Sequence, residues 1–193
     1  MLKKFLVVIF SLFLAFPAYA GFNDFVKSIE GVKSAVVSFK QITKIPVAGD
    51  EVSLYEGVIY YKKPLKFRWQ YTKGSNIYIV SDGEFVETVF PEDGDCQLFK
   101  LTKESDLFPL VSLLENPKAF RKYYRVLDKG NVAVAEPKFK DSIFRRIVFF
   151  FKGKKLLKIK TVQEDGTEET YLITDFKRNV NLKNRLFRLE KCG

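Results

Sequence analysis

None of the 193 residues is histidine, and the chain carries one methionine, one tryptophan and two cysteines. The missing histidine excludes most: it removes the commonest general base, the commonest metal ligand and every Ser-His or Cys-His arrangement. Cys96 and Cys192 lie too far apart in sequence for metal-ligand spacing. No G-x-S-x-G, P-loop or dinucleotide-binding glycine loop occurs, and the paired acids Glu92-Asp93 and Glu164-Asp165 sit in turns, where carboxylates are solvated. The sequence therefore does not read as an enzyme, and no catalytic residue, metal or cofactor is expected. Repeats of solenoid or propeller period, low-complexity tracts and composition shifts are also missing.

The N-terminal apolar run, Phe5 to Phe16, is too short to cross a bilayer. Preceded by Lys3-Lys4 and followed by Ala18-Tyr-Ala20, it reads as a secretory signal cleaved after Ala20. Removing residues 1–20 leaves 173, one domain's worth (21–193), and takes the formal charge from +10 to +8. A basic exported domain suits an anionic partner, or simply wears a lysine-coated exterior. Export and the lack of a basic helix or RNA-binding signature argue against nucleic acid. In an oxidising compartment Cys96 and Cys192 could form one disulfide, tying a mid-chain turn to the C-terminal strand, but nothing in the sequence compels it.

What is abundant is aromatic: the chain has 20 Phe and 9 Tyr. From Gly57 to Tyr71, two alternating patterns meet at Lys62-Lys63-Pro64, and Leu65, Phe67, Trp69 and Tyr71 share one face while Lys66, Arg68 and Gln70 share the other. Phe22, Phe25, Val26 and Ile29 predict a short amphipathic helix, capped by Asn23 or Asp24 and closed by Gly31. Ser34 to Ile42 is β-rich, Pro46 to Glu51 a loop, and turns at Lys73–Asn76, Asp82-Gly83 and Pro91–Asp95 separate a meander ending at Leu101. Leu107, Leu110, Val111 and Leu114 then recur at helical spacing, with Ser105 or Asp106 as cap and Pro117 as stop. A further short turn at Phe120 and Tyr123 precedes strands from Tyr124 onward. Among these, Phe144–Phe151 is apolar on both faces and is expected to be covered on both. A single curved antiparallel sheet holding short helices against one face fits this order: mainly β, α+β.

Gly57, Lys63-Pro64, Phe67 and Trp69-Gln-Tyr71, then Val80-Ser-Asp-Gly83, then Tyr171-Leu-Ile-Thr-Asp-Phe176 with Asn179 and Phe187, together with Phe39-Lys-Gln41, resemble the sequence pattern of the bacterial outer-membrane lipoprotein carrier (LolA) family. The resemblance implies an incomplete barrel with helices as a lid over an apolar cavity. It implies a monomeric periplasmic carrier of acylated lipoproteins, supplied by an inner-membrane ABC-type release complex and discharged to a LolB-like outer-membrane receptor, with no nucleotide bound. By position Phe67, Trp69 and Ile79 match cavity-lining residues, and Lys63 matches an Arg that links sheet and lid. The same cavity is expected to draw on Phe39, Tyr71, Leu110, Val111, Leu114, Ile147, Phe149 and Phe151. Three departures stand out: Lys63 lacks a guanidinium fork, Glu87-Thr88 replaces aromatic residues, and the chain ends soon after Phe187. The competing reading is a periplasmic binding or sensing module for another acylated lipid or a mislocalised lipoprotein.

Overall fold

A computed structural model describes residues 21–46, 51–101, 108–190 and 192. The leader with its cleavage site, most of the loop after Pro46, and Ser105, Asp106 and Leu107 lie outside the described residues. Eleven antiparallel strands form one sheet. In chain order they are β1 (Ser34–Ile45), β2 (Glu51–Lys62), β3 (Lys66–Lys73), β4 (Tyr78–Asp82), β5 (Phe85–Phe90), β6 (Asp95–Lys100), β7 (Tyr124–Asp128), β8 (Val132–Pro137), β9 (Phe144–Lys152), β10 (Lys155–Gln163) and β11 (Glu168–Arg178). The spatial order β6-β5-β4-β3-β2-β1-β11-β10-β9-β8-β7 joins two meanders along β1 and β11, so β6 and β7 remain edges and the barrel is incomplete.

Three short helices, α1 (Phe22–Ile29), α2 (Pro109–Glu115) and α3 (Phe120–Tyr123), complete the described elements along with a 3-10 turn at Asn184–Phe187. The predicted cap of α1 shifts: the helix already starts at Phe22 behind Gly21, which makes no side-chain cap. Asp128, at the end of β7, takes over by accepting a hydrogen bond from the Asn23 N–H at 3.3 Å. A Cβ at Gly21 would collide with Asp128 and the Gly130 carbonyl, so this docking needs glycine.

Leu65 also departs from expectation, lying in the corner before β3 at φ 53° rather than in the strand. Likewise β9 is covered on one face only. Phe144, Ile147, Phe149 and Phe151 are buried, whereas Val148 and Phe150 are half-buried and Phe150 is shielded by the Lys158 ammonium, 3.8 Å from its ring centre. A lysine from the neighbouring strand does there what a second layer was expected to do.

The opposite face of the first meander carries a strap built from the C-terminus. Asn179, at φ 54°, turns the chain out of β11, where its N–H donates to the Ser34 carbonyl at 2.7 Å and its side chain accepts from the Lys33 N–H at 3.0 Å. Residues 180–190 then cross the sheet toward β6, which Cys192 also meets. Lys62 Nζ donates to the Leu182 carbonyl and to Asn184, and Arg68 pairs with Glu190 at 3.2 Å. Buried Glu87 accepts the Glu190 and Cys192 N–H groups, and Cys96 and Cys192 are joined in a disulfide. Val80, Val89, Leu182 and Phe187 are buried outside the main core. Glu87 is thus the anchor of the strap, and the disulfide ties β6 to this irregular segment, not a mid-chain turn to a C-terminal strand.

Candidate functional site

On the helix-covered face, β2 and β3 place Ile59, Tyr61, Phe67 and Trp69 in the core, with Trp69 opposite Ile59 on one side and Ile79 on the other. Ile79 and Tyr71 are half-buried against it. Gly57 leaves the space that the Phe39 ring fills, since a Cβ there would stand 2.5 Å from Phe39 Cζ. Phe39 in turn packs on Trp69, ring centres 4.6 Å apart. Phe108, just before α2, sets its ring edge-on between Trp69 at 4.1 Å and Tyr171 at 4.8 Å. The row from Phe39 to Tyr171 is therefore one aromatic floor closed by the residue that precedes α2.

With seven residues, α2 is far too short to be helical alone, and its docking must hold it. Pro109 suits the first turn, where its missing N–H is no loss. Leu110, Val111, Leu113 and Leu114 are fully buried. At its far end the Glu115 carboxylate accepts two hydrogen bonds at 2.8 Å, from the Tyr61 hydroxyl and from the Leu65 N–H. Burial, then the bond to Glu115, holds the Tyr61 hydroxyl far above its usual range, so it stays a donor. Lys63 gives its backbone N–H to the Lys33 carbonyl and its side chain is half-buried at the same corner. The tie between α2 and that corner is made by Glu115, which sequence reasoning has no means of finding because both its partners are distant in the chain.

The predicted wall residues of β9 sit elsewhere on the same face. Phe149 and Phe151 meet Phe22 of α1 at 5.7 and 6.4 Å, Phe25 packs on Phe151 at 5.5 Å, and Phe120 of α3 lies 6.0 Å from Phe149. Ile147 is buried beside them in one continuous core with the β3 row.

At the other end of the aromatic floor lies a polar network. Tyr71 donates to Gln41 at 2.8 Å, Gln41 to Thr43 at 2.9 Å and more weakly to Glu169 at 3.3 Å, and Tyr171 to Glu169 at 2.8 Å. Burial raises the Glu169 carboxyl above the ordinary range. Burial first, and the Glu169 charge second, push the Tyr71 hydroxyl up to about 12. Beside it the Trp69 indole N–H is buried and has no hydrogen-bond partner among the described residues. Gln41 and Tyr171 belong to the motifs quoted above, which is the signal that could have brought them into the site.

A small helix docked on a row of aromatic rings covers one face of a sheet that does not close into a barrel. The model of the family described as outer membrane lipoprotein carrier protein LolA matches residues 30–190, and the chain belongs to that family. It is 28% identical over 154 residues to an outer-membrane lipoprotein carrier protein of Methylobacillus flagellatus, covering 78% of this chain and 75% of that one. With the carrier of Nitrosospira multiformis it shares 24% over 193 residues, 96% and 92% of the two chains. A crystal structure of a DUF1329 family protein from Desulfovibrio piger matches with a TM-score of 0.51 at 11% identity, over 86% of this chain and 95% of that one, a likeness of fold alone. Membership places the chain among carriers rather than enzymes.

Proposed function

We propose that the chain is a periplasmic shuttle that takes acylated lipoproteins from an inner-membrane ABC-type release complex to a LolB-like outer-membrane receptor, seating acyl chains on the aromatic floor that α2 covers. The observation that carries this reading is the docking of α2, four fully buried aliphatic side chains on a ring-lined face with a polar tie at Glu115. Undocking four such side chains costs about 6–12 kcal/mol, and ten acyl methylenes taken in exchange return about 8 kcal/mol. Because the two nearly balance, cargo can replace the helix and later be given up, as a shuttle without bound nucleotide requires. Phe39, Phe67, Trp69, Tyr71 and Ile79 form the floor in this reading; Ile147, Phe149 and Phe151 continue the same core under α1 and bound the floor there.

Trp69 is the only tryptophan and reports on the floor directly. Its emission should change on adding an acylated lipoprotein peptide and stay constant with the same peptide unacylated. An equal response to both overturns the reading.

A further inference from the structure

The sheet face turned away from the helices differs between the two meanders. Across the first lies the strap; across the second lies no described helix or strap segment. The strand register shows what that bare face presents. One rung pairs Leu54 with Ile42 and Ile42 with Thr170, then runs through Lys160 to Val148, Val134 and Leu127. The neighbouring rung pairs Lys40 with Leu172 and reaches Phe150 through Lys158. Every member is half-buried or exposed, and Leu54 is 68% exposed. An apolar band of this width, running from β2 to β7, marks a contact with another protein or with a membrane. Lysine decides between them, because the centres of protein interfaces are poor in lysine, whereas at a lipid surface its apolar stem lies along hydrocarbon and its ammonium rises to the head groups.

The charge on this face is uneven. Glu56 is held by Lys40 at 3.3 Å, Glu168 by Lys160 at 2.7 Å and Glu136 by Arg125 at 3.9 Å. Beside Leu172 the balance tips. Strands β10 and β11 pair only between Lys158–Val162 and Glu168–Leu172, and beyond Leu172 they part around a cleft of about 460 Å³ lined by Lys152, Lys154, Lys155 and Arg178, with Thr174 among them. Its one acid, Asp175, is paired with Lys177 at 3.4 Å. The three lysines form no ion pair among the described residues, and Arg178 is steadied from α1 by the Ser28 carbonyl at 3.2 Å. A cleft with four cations beside an apolar band suits a phosphate whose acyl chains lie in a bilayer. We propose that this outer face docks on an anionic phospholipid surface, the apolar rungs resting on the acyl boundary and the cleft between β10 and β11 taking a lipid phosphate. The inference goes beyond the carrier reading, which concerns the opposite face of the sheet.

The test is co-sedimentation of the full mature protein with vesicles of phosphatidylcholine alone or of phosphatidylcholine mixed equally with phosphatidylglycerol. The mixed vesicles should carry the protein down and the neutral ones should not. Lys154→Glu with Lys155→Glu should weaken that binding at least about tenfold, since each basic residue near an anionic surface matters on that scale. Leu54→Ser, at an exposed position, should cost a severalfold loss that persists where salt has screened the lysines. A control with the same change of charge on the helix side, Lys27→Glu with Lys122→Glu, should bind as wild type does. Equal losses in the two double variants would reduce the effect to net charge and overturn the docking face. So would wild-type protein that stays in solution with both vesicles, and self-association in sedimentation velocity without vesicle binding would give the face to a second copy. Trp69 emission with acylated peptide should be unchanged in Lys154→Glu with Lys155→Glu, so this proposal and the carrier reading fail separately.

Discussion

Two helix-covered regions of one sheet are filled with aromatic rings in different ways. Under α1 and α3 the rings of Phe22, Phe25, Phe120, Phe149 and Phe151 interlock across helix and strand, and the N-terminus of α1 is fixed by Asp128. Under α2 the rings belong mostly to the strands, and the helix contributes aliphatic side chains, with Phe108 entering from just ahead of it. A region whose helix and sheet share one ring cluster loses its packing when either part moves. A region whose floor is complete in the sheet can exchange what lies on it. In the proposed shuttle α2 is the exchangeable cover and α1 part of the permanent wall.

The comparison breaks most visibly at Phe149. Phe149→Ala should cost about 3–5 kcal/mol of global stability, the range for emptying a buried aromatic site, read by urea unfolding, and an acylated peptide should recover little of it. An unfolding midpoint within error of wild type would show that the α1 region is loosely filled too. Leu114→Ala removes buried volume of the same kind but from the exchangeable cover. It should cost about 2–3 kcal/mol, the low end of the range for such truncations, and raise apparent affinity for an acylated peptide, since the ligand then competes with a weaker occupant. Weaker binding in that variant would make α2 part of the site rather than its lid.

Much of this contrast is legible from two periodicities. The alternation from Phe67 to Tyr71 places the floor residues on one face, and Leu110, Val111 and Leu114 place the apolar side of α2, because pleat and helix turn follow from local sequence. What escapes is decided by distant pairings. Glu115 meets Tyr61 and the Leu65 N–H across some 50 positions, and nothing near Glu115 announces either partner. Glu87 reads as an odd carboxylate in a strand until residues 190 and 192 arrive to donate to it. The double-sided apolar pattern of β9 reads as two covering layers because single-strand periodicity cannot see Lys158 on the next strand.

A gentler probe is pH, through the polar network beside the α2 region. Burial raises the Glu169 carboxyl above its ordinary value of 4.5, so the folded protein keeps a proton that the unfolded chain has already released. Glu169 therefore makes stability fall as pH rises from about 4.5 through its raised folded value, and contributes no slope above that. Glu169→Gln should remove this part of the slope in urea-unfolding series taken across the window. An unchanged slope would mean that the carboxylate is solvated in the folded state.

The smallest effect, and the one that separates two ways of holding α2, lies at the Lys63 corner. Glu115 accepts two bonds there; Glu115→Gln keeps an acceptor but loses the charge, which about halves the strength of each bond. The expected loss is about 1 kcal/mol, enough to raise the open fraction of the lid about fivefold, so loading with acylated peptide should quicken while the unfolding midpoint falls by less than in Leu114→Ala. Lys63 tests the alternative tie implied by family position. A lysine that holds the lid works through a single ammonium contact, so Lys63→Leu should alter handover of a fluorescent lipoprotein to the receptor more than uptake from the release complex, and Lys63→Arg should be tolerated because its fork keeps that contact and adds another. Loading and delivery at wild-type rates in Lys63→Leu, beside faster loading in Glu115→Gln, would assign the tie to the carboxylate alone. The family's cation at that corner would then have been replaced in this chain by an acid on the helix.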